Sequence, residues 1–231
     1  KHVDHNKIYD ARDFGLPVPD SLHLKTADGY GIFAYEICPK RPKGVVICLS
    51  GIENPSVTAF YGHAAEFYKA KVATIMPDLR GHGKSEGNRI GLAYEETSDV
   101  KAVTDYIKSN TRYQGVPIIV MGVSMGGAVA IRSIGENQDI DGLISLSAFS
   151  SLEDFLQASR EAFLPMIPAD ELDGVTGSVI KEKYGVDASV CSPIYSLRGL
   201  SGRPVLMMHS RQDTQVPYSC FEKLTAEASK Y

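Results

Sequence analysis

The run Ile118-Ile119-Val120-Met121-Gly122-Val123-Ser124-Met125-Gly126-Gly127-Ala128 sets one serine between glycines two positions to either side. A strand-like apolar run precedes Ser124, and a stretch of small residues with helical character follows it. A hydroxyl at such a tight strand-to-helix turn is held in a strained conformation and projects above the sheet edge. The glycines remove Cβ atoms that would collide with the neighbouring strand and helix. The helix start behind the serine offers unsatisfied N–H groups and a positive dipole end, suited to an oxyanion. Gly-x-Ser-x-Gly alone is a weak pattern, and a chance Gly/Ser turn is the competing reading. The flanking run and helix are what favour nucleophilic chemistry.

A serine hydroxyl needs a base, and the base needs a carboxylate to orient it. Asp213 lies in His209-Ser210-Arg211-Gln212-Asp213-Thr214-Gln215-Val216-Pro217, directly after the apolar run Val205–Met208. An Asp in a polar loop is ordinarily a solvated turn residue, and its residue context alone leaves Asp213 a candidate acid and no more. Asp78 and Asp187 are the runners-up, Asp78 being better suited to stabilising its own Arg-Gly-His-Gly loop.

The elements that would position these groups are legible as periodicities. Ser21–Ala27 and Ile32–Ile37, joined at Asp28-Gly29, read as a hairpin. Val45–Leu49, Val72–Met76, Ile118–Met121, Leu143–Leu146 and Val205–Met208 read as parallel strands buried on both faces. Helical spacing appears at Phe60, Ala64 and Phe67, at Val100, Val103 and Ile107, and at Phe221, Leu224 and Ala228, with Pro217 suited to a first helical position. The alternation predicts an α/β fold, a mostly parallel sheet with helices on both faces. Residues 1–231 read as one domain. Residues 150–196 interrupt the rhythm and read as a helical insertion above the sheet's C-terminal edge, started by Ser151-Leu152-Glu153-Asp154 and broken by Pro165 and Pro168. A lid shaping a substrate pocket is its functional reading, and a structural excursion is the bland one. Phe155, Leu156, Phe163, Leu164, Met166 and Ile167 could line an acyl pocket, though such spacing more often marks core.

Composition bounds the rest. The chain has 231 residues, a net charge of −4 and 43% apolar residues. It carries no basic face for a nucleic acid and no apolar run near the roughly 18 residues of a membrane span. Cys38, Cys48, Cys191 and Cys220 have neither Cys-x-x-Cys nor metal-ligand spacing; Cys48 reads as a buried thiol. Lys1 rather than Met opens the chain, which leaves room for a removed N-terminal segment and leaves the compartment open.

Four stretches in this order resemble the α/β-hydrolase superfamily: Leu49-Ser50-Gly51-Ile52, Asp78-Leu79-Arg80-Gly81-His82-Gly83-Lys84-Ser85, the turn at Ser124, and His209 to Pro217. They are most similar to the branch of bacterial esterases, monoacylglycerol-lipase-like enzymes and serine aminopeptidase-like proteins. The resemblance implies a serine hydrolase without metal or organic cofactor, with Ser124 as nucleophile and Asp213 as triad acid. It further implies the N–H groups of Met125 and Ile52 as oxyanion donors, a small ester or acyl compound as substrate, and ester cleavage ahead of amide, peptide or thioester cleavage. Ser50-Gly51 stands where the family usually has His-Gly, which changes the loop but removes no backbone donor.

The resemblance also implies a histidine after the acid, and none follows Asp213. His2, His5, His23, His63, His82 and His209 all lie elsewhere, and His209 fits a structural role. The expectation is therefore a fragment of a longer hydrolase, lacking the final strand, histidine and helix, inactive by itself. Such a chain would leave Val205–Met208 as an apolar sheet edge prone to self-association. A non-catalytic binding module on the same fold is the reading from another class.

Overall fold

The computed structural model describes residues 7–52 and 56–231. Among the described residues seven strands form one sheet: β1 (Asp20–Lys25), β2 (Gly31–Ile37), β3 (Val45–Leu49), β4 (Ala73–Pro77), β5 (Ile118–Val123), β6 (Gly142–Leu146) and β7 (Val205–Met208). Their spatial order is β1-β2-β4-β3-β5-β6-β7. β1 to β2 and β2 to β4 are antiparallel; every other pairing is parallel. The α/β architecture read from the alternation is the one observed, with strand boundaries shifted by at most two residues.

Among the described residues eight α-helices connect or flank the strands: α1 (Tyr61–Lys69), α2 (Thr97–Ser109), α3 (Met125–Glu136), α4 (Leu152–Phe163), α5 (Leu172–Tyr184), α6 (Ala188–Cys191), α7 (Pro193–Ser196) and α8 (Tyr218–Ala228). All five residues of β3 and all five of β4 are buried, as continuous aliphatic runs between two helical layers must be. On one face Val45, Ile47 and Leu49 join Val100 and Val103 of α2, Val129 and Ile131 of α3, and Leu224 of α8. On the other, Val46, Cys48, Met76 and Met121 pack with Phe60, Tyr61 and Ala64 around α1.

This second layer thins toward β7. Ile119, Ile144 and Leu146 are only partly buried there, and their neighbours Leu206 and Met208 are 49% and 50% exposed. β7 therefore alternates between half-covered and exposed positions instead of reading as buried throughout. All four cysteines are free thiols. Among the described residues no helix is long and apolar enough to cross a membrane.

The chain direction around the sheet reverses at β3, which has β4 on one side and β5 on the other. In open α/β sheets the crevice beyond the strand ends at such a switch point is where ligands bind. The segment after β3 carries Ile52 and the segment after β5 carries Ser124, so both flank that crevice.

Candidate active site

Ser124 has φ 55° and ψ −121°, a conformation L-residues rarely adopt and which costs roughly 1–3 kcal/mol. Its surroundings explain why it is tolerated. A Cβ on Gly122 would run into the carbonyl of Gly126, and one on Gly126 would run into the carbonyls of Leu49 and Ser50. The turn is therefore closed on both sides by backbone, and only glycine lets β5, α3 and the end of β3 approach so closely. The Ser124 N–H donates to Leu146 O of β6 at 2.9 Å, fixing the residue to the adjoining strand.

The helical ladder of α3 begins with Ala128 N–H to Ser124 O at 3.1 Å. Met125, Gly126 and Gly127 thus precede the first intrahelical bond, and their N–H groups are the unsatisfied donors of a helix start. Met125 is fully buried by its side chain, so only its backbone can serve the crevice. Across the crevice a Cβ built on Gly51 would sit 3.3 Å from Ser124 Cβ and 3.7 Å from its Oγ. The loop that carries Ile52 is thereby brought against the serine, and Ser124 itself is half-buried.

Asp213 lies past the C-terminal end of β7, at the same sheet edge. Its Oδ1 accepts from Gln215 N and Val216 N, both at 2.9 Å. Burial pushes its carboxyl pKa up, but those two N–H groups, the Ser147 hydroxyl and His209 outweigh it and leave it below the ordinary carboxylate range. A carboxylate held ionised and fixed in direction suits an orienting acid. The strands that precede Ser124 and Asp213, β5 and β7, are two strand spacings apart, about 10 Å, with β6 between them.

Ser147, to which the sequence assigned no role in the site, lies beside Asp213, its hydroxyl being one of the groups that lower the carboxyl pKa. It ends β6 with φ 50°, and its N–H donates to Met208 O of β7 at 2.9 Å. A non-glycine residue with positive φ leaves no signature in the sequence, and its contact with Asp213 exists only through the β6–β7 pairing.

The runners-up have other tasks. Asp78 Oδ2 accepts from Lys84 N at 2.9 Å, tying down its own loop. Asp187 is exposed and 3.4 Å from Lys181. Among the described histidines, His209 is the one near Asp213, with Nε2 3.5 Å from its Oδ2. That same nitrogen lies 2.9 Å from Val216 O, and the ring packs on Tyr218 and Phe221. His82 Nδ1 lies 3.0 Å from Arg80 O, and His63 and His23 pack on Phe60 and Phe33. His2 and His5 lie outside the described residues.

Residues 150–196 do form helices, started as expected at Ser151, whose hydroxyl accepts from Asp154 N at 3.0 Å. Phe155 packs on the buried Phe149 with ring centroids 5.1 Å apart, as core, while Met166 is 93% exposed. The Phe163 side chain lies outside the described residues. Among the described residues, concavities of about 670, 680 and 250 Å3 are lined by other side chains, and none of these three by Ser124, Asp213, Ile52 or Met125. Among the described residues no group of three metal-ligating side chains occurs.

Residues 40–172 match the family described as serine aminopeptidase, S33. Uncharacterized protein YqkD of Bacillus subtilis is 27% identical over 204 residues, covering 87% of this chain and 65% of its own length. Human monoglyceride lipase is 26% identical over 215 residues, covering 87% of this chain and 70% of its own length. The chain thus spans about two thirds of these curated relatives. The esterase Pf2001 of Pyrococcus furiosus shares the fold, with a TM-score of 0.74 at 21% identity over 97% of this chain and 83% of that one. Given a family match over more than half its length, on a sheet reversed at β3 and a glycine-bounded serine turn after β5, the chain belongs to the serine aminopeptidase family of α/β-hydrolases.

Proposed function

We propose that this chain carries the nucleophile, acid and oxyanion donors of a serine hydrolase that cleaves carboxylic esters through an acyl-enzyme on Ser124. The observation that carries the reading is the strained, half-buried Ser124 on a turn that only glycines permit. Strain of this size persists where surrounding structure over-determines it, and it gathers at functional sites.

The proposed reaction uses these groups together with a histidine. Ser124 Oγ attacks the ester carbonyl carbon while a histidine takes its proton. The carbonyl oxygen becomes an oxyanion facing the N–H groups of Met125 and Ile52. The tetrahedral centre collapses, the C–O bond to the alcohol breaks, and the imidazolium returns the proton to the leaving alcohol. Water then repeats the sequence on the acyl-serine and releases the acid. Asp213 orients the histidine and stabilises its charged form. Among the described histidines His209 alone approaches Asp213, and its Nε2 is taken by Val216 O, so the proposal leaves the base unassigned.

Ester cleavage is favoured by the likeness to monoglyceride lipase; peptide, amide or thioester cleavage runs on the same groups, and the family's description favours the peptide bond as the second reading. A non-catalytic module would have no use for the strain at Ser124. The test is fluorophosphonate labelling of the gene's full-length product, followed by hydrolysis of p-nitrophenyl acetate. Ser124→Ala abolishes both. Labelling that survives this substitution refutes the assignment.

A further inference from the structure

The peptide unit between Leu146 and Ser147 is bonded on both sides, to the two strands that carry the site. Its carbonyl oxygen, Leu146 O, accepts from Ser124 N–H at 2.9 Å, and its N–H donates to Met208 O of β7, also at 2.9 Å. The register agrees, setting Val123 opposite Leu146 and Leu146 opposite Met208. One planar amide thus ties the turn of Ser124 to the strand that runs into the Asp213 loop.

Ser147 then leaves the strand. Its φ of 50° lies in the left-handed region, where a residue with a Cβ is uncommon and strained. Glycine takes this conformation freely, so a purely structural position here would be better filled by glycine. What serine adds is a half-buried hydroxyl that serves the Asp213 carboxylate as a donor.

That carboxylate is otherwise held from within its own loop. Oδ1 accepts from Gln215 N and Val216 N at 2.9 Å each. Oδ2 faces His209, whose Nε2 is 3.5 Å away and closer, at 2.9 Å, to Val216 O. Bonds inside residues 209–216 fix the carboxylate to the loop. A bond from the end of β6 fixes it to the sheet, and the sheet is what presents Ser124. We propose that Ser147 is a positioning residue of the hydrolase reaction: its peptide holds the Ser124 turn, its hydroxyl holds Asp213, and together they set the direction in which the acid meets the histidine. This role rests on the functions proposed above for Ser124 and Asp213. Acting through the histidine and not on the substrate, it belongs in kcat and not in KM.

Two substitutions pull stability and reaction apart. Ser147→Gly removes the hydroxyl but suits the backbone, so Tm rises or stays within about 2 °C of the parent. Ser147→Thr keeps a hydroxyl but is β-branched, which positive φ disfavours, so Tm falls. With the gene's full-length product and p-nitrophenyl acetate, kcat drops about tenfold or more in Ser147→Gly at unchanged KM, as for loss of a bond to a charged group, and lies nearer the parent in Ser147→Thr. Ser201, exposed and with φ 53°, is the matched control: Ser201→Gly relieves the same strain and leaves kcat unchanged. In this chain, NMR of the Asp213 carboxyl carbon shows its titration midpoint rising in Ser147→Gly, because a donor to the charged form is lost, and restored in Ser147→Thr. An unmoved midpoint in Ser147→Gly overturns the proposal, and so does a Ser147→Gly protein with the parent's kcat. Fluorophosphonate labelling that survives Ser124→Ala overturns the proposed function itself and this role with it; the failures are told apart because the first two leave labelling confined to Ser124.

Discussion

Alanine at Gly126 distinguishes a glycine that the site requires from one that merely occurs. A Cβ there would meet the carbonyl oxygens of Leu49 and Ser50, both inside the 3.0 Å that real Cβ atoms keep. Neither obstacle is a side chain that can swing aside; Leu49 ends a fully buried strand and Ser50, also buried, follows it. Overpacking of a tight interior costs about 1–3 kcal/mol, and immovable backbone places Gly126→Ala at the upper end, about 3 kcal/mol. For a chain of this size that is a fall in Tm of roughly 6–12 °C. Gly177 is the matched control. It lies within α5 with nothing inside 4 Å of its would-be Cβ, so Gly177→Ala gains about 1 kcal/mol of helix propensity and raises Tm by roughly 2–4 °C. Thermal melts followed by circular dichroism, with urea midpoints at unchanged slope, measure both. If Gly126→Ala melts within about 2 °C of the parent, the close approach of α3 to β3 is not what holds the turn.

Three further outcomes follow from other parts of the molecule. Arg203 closes the end of α3, donating to Asn137 O at 2.9 Å, Ile140 O at 2.8 Å and Ile134 O at 2.6 Å. Arg203→Met strands these carbonyls and costs at least about 3 kcal/mol, read as a lowered urea midpoint; an unchanged midpoint removes that role. Asp154 and Asp213 both have lowered pKa values, burial in each being outweighed by Lys223 and Ser150 in the first and by backbone N–H groups in the second. Their stabilisation is complete above the ordinary carboxylate value near 4 and is lost as pH falls through the lower folded-state values. Tm should drop on acidification from about pH 4, less steeply in Asp154→Asn; a parallel profile for that variant contradicts the assignment. Finally, Leu206 and Met208 continue a thinly covered apolar face, so self-association of this chain is the expected outcome. Leu206→Lys with Met208→Lys returns it to a monomer in light scattering, and a parent that is already monomeric rules the idea out.

Legibility from sequence followed the range of the interactions involved. The Ser124 turn is written in five adjacent residues, and the cradle of Asp213 in four, so both could be read. β3 and β4 were legible because two-sided burial demands unbroken aliphatic runs. The run at β7 looks alike in sequence yet is half exposed, since coverage depends on which helix lies over it. α5 was not foreseen because Gly174, Val175, Thr176, Gly177 and Val179 are poor helix formers; it forms because Leu172, Thr176 and Ile180, spaced by four, turn inward together. The buried Glu36 carboxylate takes bonds from Tyr106 at 3.0 Å, Arg112 at 2.8 Å and Tyr113 at 2.6 Å. Those partners are at least 70 positions away in the chain, beyond any local pattern.

The bond from Ser124 N–H to Leu146 O has a mechanical corollary. With its own amide spent on β6, the serine cannot help cradle the charge it would create. The two donors proposed for that charge, on Ile52 and Met125, follow the ends of β3 and β5, like the jaws of a caliper whose hinge is the pairing of those strands. Five consecutive residue pairs lock that pairing, from Val45 opposite Ile118 to Leu49 opposite Gly122. Breathing of this one ladder would carry both proposed jaws with it.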